Sequence, residues 1–428
     1  MPKLKRVLTL PELVIYGVGS MVGAGIYSII GAAALKAGDS LWLSFLLTSL
    51  AAGITILSYA ELSSMFPKTG AEFQFLRQAF PRWPFFSFMA GFLIALNASA
   101  TSATVAIAFA GYLNFFINTP KILTAWLLLF CCTLINLAGI RQSTWANIIL
   151  VLVEVSGLLI IILVGFITGE PNKSFAPMTQ INLQDLSNII SAAALIFFVY
   201  IGFEDVANLS EETRNPKQTI PRALILSIII TSIIYILVAI AFTGLSNEQI
   251  LNSDSPLSSA ITKTSKFLGN FVALAALFAT ASTALISLVS ISRMLFGMAR
   301  EGAMPHLLTY VSEKNQTPWV AALFLFLWAC LFLPFQDIRI IASVSSTGVL
   351  LVFIGVQVAA MSLRFSRKDE RRNFKIPLNI YNISVLPILG ISIILGLLFT
   401  FKPIVYLIVG VTILIGSLLY FLLVRKTH

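Results

Sequence analysis

The chain has 428 residues, of which 58% are hydrophobic and 11% charged, with a formal net charge of +10. Soluble domains carry roughly a quarter charged residues, so a water-soluble fold of this length is excluded; a bilayer can accept the outer apolar face instead. A net charge of +10 points to nucleic acid in a soluble protein, but here the basic residues sit in short segments between apolar runs, so no nucleic-acid partner is expected.

Three cysteines, Cys131, Cys132 and Cys330, all lie in apolar runs without metal-ligand spacing, and the histidines are His306 and the final residue, His428. No His, Cys and carboxylate constellation for catalysis is visible, and an enzyme is not expected. No metal or organic cofactor is expected either.

A spanning helix needs about 20 apolar residues. Twelve runs qualify: 13–36, 41–65, 84–117, 121–140, 145–168, 187–210, 221–244, 267–300, 318–335, 338–363, 383–400 and 403–424. The basic start at Lys3, Lys5 and Arg6 precedes a long first run with five glycines, which reads as a retained first helix rather than a signal peptide. With both termini placed in the cytoplasm, 21 of the 28 Lys and Arg residues fall in inside segments. That bias obeys the positive-inside rule and supports an even number of helices. The segment Gly70 to Arg82 is amphipathic and reads as an interfacial helix, and Ser255 to Lys266 reads as a short external one. Glu61 and Glu211 fall near the cytoplasmic face, where ion pairs with Arg77, Arg214 or Arg293 are expected.

Two runs carry helix-breaking features. The first reads Tyr16-Gly17-Val18-Gly19-Ser20-Met21-Val22-Gly23-Ala24-Gly25-Ile26-Tyr27. Each glycine weakens a helix by about 1 kcal/mol relative to alanine. Close helix packing through Gly19 and Gly23 explains the pattern, and so does an unwound stretch whose amides face an anion. The sixth run reads Phe197-Phe198-Val199-Tyr200-Ile201-Gly202-Phe203-Glu204-Asp205, with two carboxylates inside a spanning segment. Breaks at matching places in two halves point to a transporter site. Runs one and six each open a set of five helices, and five is odd, so the second set would be inverted.

These residues, with Phe66-Pro67-Lys68-Thr69-Gly70, Glu211-Glu212-Thr213-Arg214-Asn215-Pro216 and Ser292-Arg293-Met294, resemble the amino acid–polyamine–organocation superfamily, in particular its bacterial amino acid permeases. The resemblance covers nearly the whole chain. It implies an all-α integral membrane protein of about twelve helices. Its core would be a five-plus-five inverted repeat (LeuT-like), with a first repeat near 10–168, a second near 187–363 and two added helices over 383–424. It implies secondary amino acid transport by alternating access across the plasma (cell inner) membrane, in contact with lipid. Polyamine transport or amino acid exchange on the same fold stays open.

By resemblance, a substrate carboxylate would meet amides near Met21, Gly23, Ala24 and Gly25. Its ammonium would meet carbonyls near Phe197, Phe198 and Tyr200, with Phe203 as a lid. Ordinary packing is the alternative for each aromatic. Asn97, Ser99 and Thr101 are candidates for the pocket wall. Many permeases of this type carry a lysine in helix five; here Glu154 stands at the matching position. Ten residues from Thr144 at about 1.5 Å each put it near mid-membrane, where a lone carboxylate costs several kcal/mol unless paired, hydrated or protonated. It reads as a proton carrier, as a ligand to a monovalent cation, or as a neutral helix lock. The carbonyls of Gly19 and Val22 and the hydroxyls of Ser282 and Thr283 would be its neighbours, though those hydroxyls can also bond to their own helix. Glu204 and Asp205 read as a gate network or as plain partners of buried amides.

Overall fold

The computed structural model describes residues 4, 6–114, 116–170, 183–253, 255–333, 338–381 and 383–423. Of the basic residues used to set orientation, Lys3, Lys5, Lys173, Arg425 and Lys426 lie outside them. The chain is an all-helical membrane protein, apart from a small antiparallel ribbon of β1 (Asn379–Ile380) and β2 (Ile383–Ser384). The first helices are α1 (Leu10–Ala37), α2 (Leu41–Met65), α3 (Ala71–Ala79), α4 (Pro84–Asn114), α5 (Lys121–Ala138) and α6 (Ile140–Thr168). Then come α7 (Leu183–Tyr200), α8 (Glu204–Asn208), α9 (Pro216–Leu245), α10 (Glu248–Leu251), α11 (Pro256–Thr262) and α12 (Lys266–Arg300). The last are α13 (Trp319–Phe332), α14 (Ile338–Ser366), α15 (Val385–Leu398) and α16 (Pro403–Leu423).

Among the described residues ten segments are long and apolar enough to cross a membrane. The ninth and eleventh expected runs appear as α13 and α15, each 14 residues long. At about 1.5 Å per residue they rise about 21 Å, short of a 30 Å hydrocarbon core. The external helix expected after Ser255 is α11. Lipid-facing positions carry exposed Leu152, Leu163, Leu327 and Leu331, whereas the interior is packed with small residues, as on α12. That inversion is what a bilayer demands, because helices in lipid associate by close packing of small side chains.

Helix α1 runs through the centre and packs against α6, α7, α9 and α12. Its start is fixed locally: Thr9 and Glu12 form a capping box, with the Thr9 amide donating to the Glu12 carboxylate at 2.8 Å.

One end of the bundle is held by ion pairs, and the partners differ from those expected. Glu61 pairs with Arg364 and Arg372, because this face of α2 meets α14 and the loop after it. Glu211 pairs with Arg300, Glu212 with Arg293 at 3.1 Å, and Glu301 with Lys68 and Arg77. Arg293 and Glu212 are both fully buried, and Asn136 also accepts from the arginine. Helix α3 belongs to this basic end, but it is enclosed rather than interfacial. Glu72 and Gln74 are buried, the Tyr59 hydroxyl donates to Glu72 at 3.1 Å, and the Ala71 amide donates to Asn208 at 2.9 Å. These bonds tie the polar face of α3 to α2 and α8, and the helix packs as a wedge against α4, α14 and α8.

Candidate functional site

Two helix breaks meet inside the bundle. In α1 the backbone leaves the helical region at Gly23, with φ −7° and ψ −159°. A Cβ at Gly23 would overlap the Thr283 hydroxyl, so only glycine lets α12 come this close. Thr283 accepts the Ala24 amide at 3.1 Å and donates to the Ala279 carbonyl at 2.9 Å. In the sixth run, α7 stops at Tyr200 and α8 starts at Glu204. Gly202 between them has φ +126°, a conformation that favours glycine. A Cβ there would lie 2.5 Å from the Ser20 carbonyl. The two breaks are joined directly: the Ser20 hydroxyl donates to the Gly202 carbonyl at 2.7 Å. The Glu204 carboxylate accepts the Gly202 amide at 2.9 Å, so its side chain folds back onto the break that precedes α8.

The polarity around the breaks follows from helix ends. The second half of α1 begins near Gly23 to Gly25 and presents an N-terminus, which favours an anion. Helix α7 ends at Tyr200 and presents carbonyls, which favour a cation. Gly25 and Phe198 keep partial exposure beside the breaks, and Val199 Cα would lie 3.4 Å from a Cβ on Gly25. The other aromatics are packed. Phe197 and Phe203 are fully buried, with Phe203 5.0 Å from Phe353 and 5.3 Å from Tyr59, centroid to centroid. Through Tyr59, which donates to Glu72, this cluster joins the second break to α3. Tyr200 spends its hydroxyl on Ser49 at 2.6 Å. In α4, Asn97 and Thr101 both meet Ser345 of α14, whereas Ser99 bonds back to Ala95. A cavity of about 400 Å³ lies elsewhere, at the basic end beside Phe73, Arg77, Phe88 and Glu301.

Glu154 is fully buried on α6. Ser282 donates to its Oε2 at 2.8 Å, while Oε1 has no hydrogen-bond partner among the described residues. The Tyr27 hydroxyl donates to the Glu154 main-chain carbonyl at 2.5 Å. Of the expected neighbours, Ser282 reaches the carboxyl and Thr283 serves the α1 break instead. Gly19 packs on Val151, one turn along α6 from Glu154, and Val22 is buried in the core. Among the described residues no hydrogen bond joins the Gly19 or Val22 carbonyl to Glu154.

Nearly the whole chain, residues 8–424, matches the amino acid permease family. This chain belongs to that family. The permease is 29% identical to a branched-chain amino acid permease of Bacillus subtilis, over 99% of this chain and 94% of that protein. It is 27% identical to the methylthioribose transporter of the same bacterium, over the same shares of each chain. The vacuolar cationic amino acid transporter 2 of Arabidopsis thaliana is 30% identical over 86% of the permease and 61% of its own length.

Two residues of this candidate site escaped the sequence reading. Tyr235 of α9 donates to the Met21 carbonyl at 2.6 Å and lies 3.3 Å from the Val199 carbonyl, so one hydroxyl serves both broken helices. Glu72, inside the expected interfacial segment, sits near Glu204; burial first, and then the Glu204 charge, pushes it up to about 8. Tyr235 lies in an apolar run with nothing local to mark it. The Glu72 signal was a carboxylate between Ala71 and Phe73 on a helix rich in aromatics.

Proposed function

We propose that this permease is a secondary active amino acid transporter that works by alternating access and carries a proton on Glu154. The observation behind this is the state of that carboxyl: fully buried, bonded to Ser282 through one oxygen and, among the described residues, without a hydrogen-bond partner on the other. A lone buried charge is costly, and a carboxyl can avoid that cost by binding a proton whenever the site is closed. A substrate carboxylate would sit at the amides following Gly23. Its ammonium would sit at the carbonyl end of α7, near Phe197, Phe198 and Tyr200. The five-plus-five inverted division and cytoplasmic placement of both termini in a cell inner membrane belong to the same reading. Two of the three named relatives, the branched-chain amino acid permease and the cationic amino acid transporter, support an amino acid as cargo.

A second reading is transport of cationic amino acids or polyamines. It is favoured by Glu204 and Asp205, both buried next to the α7 break, and by the cationic amino acid transporters among the relatives.

The test is uptake of labelled amino acids and polyamines into proteoliposomes, with and without an inward proton gradient. Gradient-stimulated uptake of a zwitterionic amino acid supports the first reading. Competition by putrescine but not by zwitterions supports the second. Uptake that ignores the gradient but requires internal substrate makes the protein an exchanger and removes Glu154 from coupling.

A further inference from the structure

We propose that Thr144 and Asn147 of α6 hold a short chain of water that carries the proton between Glu154 and the basic end of the bundle, gated by Val151 packed on Gly19. The proposal rests on the reading of Glu154 as the proton carrier.

Thr144, Asn147, Val151 and Glu154 follow one another at intervals of three, four and three residues, which places them on one face of α6. All four are buried. Four polar atoms on this face have no hydrogen-bond partner among the described residues: Thr144 Oγ1, Asn147 Oδ1 and Nδ2, and Glu154 Oε1. Other hydroxyls of the same helix behave differently. Ser143 bonds back to the Gly139 carbonyl and Ser156 to the Val153 carbonyl. The unmet hydrogen-bonding capacity therefore follows one face, rather than being spread over the helix.

Buried polar groups in native proteins almost always find a partner, and where protein supplies none, water does. An asparagine amide is suited to this, since it both donates and accepts. Seven residues of helix separate Asn147 from Glu154, about 10 Å, a distance that about three hydrogen-bonded waters cover. Thr144 lies one turn further on, close to the start of α6 at Ile140 and so to the basic end.

The apolar Val151 interrupts the face. Its side chain lies so close to Gly19 that a Cβ there would overlap it. Gly19 lies one turn before the α1 break at Gly23, so a movement of α1 at that break shifts the surface on which Val151 rests. When the contact opens, Glu154 releases its proton from Oε1 to the nearest water. The proton passes along the chain past Asn147 and Thr144, and Glu154 stays behind as a carboxylate held by the Ser282 hydroxyl. The titratable neighbours of Glu154 are Tyr27 of α1 and Tyr235 of α9, and both donate their hydroxyl protons to main-chain carbonyls. Helix α12 contributes Ser282.

The test compares Asn147→Leu, Asn147→Ser, Val151→Ala and Glu154→Gln in proteoliposomes. Two rates are read: net uptake driven by a proton gradient, and exchange of labelled for unlabelled substrate. Asn147→Leu should slow net uptake at least tenfold and leave exchange within about twofold. Asn147→Ser, polar and smaller, should keep most of the net rate. Val151→Ala should let protons leak in the absence of substrate, followed with a pH dye, and this holds the proposal to account if Asn147→Leu fails to fold. Wild-type net uptake by Asn147→Leu, or no leak through Val151→Ala, overturns the water chain. If Glu154→Gln itself keeps gradient-driven uptake, the proton reading fails first and the water chain falls with it.

Discussion

Ser20 of α1 donates its hydroxyl to the carbonyl of Gly202 at 2.7 Å, so the two broken helices are tied to each other at their breaks. Substrate bound between them would be held by groups from both sides of this tie. A buried hydrogen bond contributes about 1 kcal/mol, roughly a fivefold change in an equilibrium constant. Ser20→Ala should therefore fold normally and raise the substrate KM about fivefold. An unchanged KM would show that the two breaks are set independently.

The glycines of the α1 break predict a graded response. At Gly25 a methyl would sit 3.4 Å from Val199 Cα, an ordinary contact, so Gly25→Ala should keep binding within a few-fold. Gly25→Leu has no such room and should abolish substrate binding with little change in melting temperature. At Gly23 even a methyl overlaps the Thr283 hydroxyl, so Gly23→Ala should lower affinity at least tenfold, and Thr283→Ala in the same chain should recover part of it. Binding measured by substrate-induced thermal shift separates the four variants.

Arg293 and Glu212 are a fully buried ion pair, with Asn136 as a third partner. Removing one member leaves an uncompensated charge, which costs about 3–5 kcal/mol. Arg293→Met should lower the melting temperature sharply, and Arg293→Met with Glu212→Met should lower it less. Equal losses in the single and double variants would mean that the pair is not coupled.

Two carboxylates at the basic end predict opposite pH responses. Glu72 is pushed up to about 8, by burial and then by Glu204. The folded protein therefore holds a proton that the unfolded chain releases, and stability falls as pH rises from the ordinary carboxylate range to about 8. Glu72→Gln should flatten that fall. For Glu211, burial acts upward, but the Arg300 hydrogen bonds and charge, with the Thr69 amide, outweigh it and hold the group below its ordinary value. Its contribution is present above the ordinary carboxylate range and is lost as pH falls below it. Melting temperatures from about pH 2 to pH 9 for Glu72→Gln and Glu211→Gln check both signs.

The helical membrane class, the order of the apolar runs and the places of both breaks were legible in the sequence, although close packing accounted for the glycines of the first run as well. Length and hydropathy fix a span, and Gly-Ala-Gly or a glycine before two carboxylates disturbs a helix wherever it packs. Glu154 was legible because a carboxylate in mid-run is rare and costly. What stayed hidden depends on contacts between distant residues. Tyr235 lies 214 residues from Met21, and nothing in an apolar run says which carbonyl a tyrosine hydroxyl will meet. Arg364 is 303 residues from Glu61, so charge order along the chain favoured nearer but wrong partners. The burial of α3 was hidden for the same reason: its amphipathic pattern suits an interface, and only the bonds from Tyr59 and to Asn208 show that its polar face is enclosed.

The coupling role of Glu154 is tested most directly by following lumenal pH in proteoliposomes while substrate is added outside, for wild type and Glu154→Gln. Wild type should acidify the lumen as substrate enters, and Glu154→Gln should exchange substrate without moving protons. Substrate-driven acidification of equal size in both proteins would contradict a proton carried on this carboxyl.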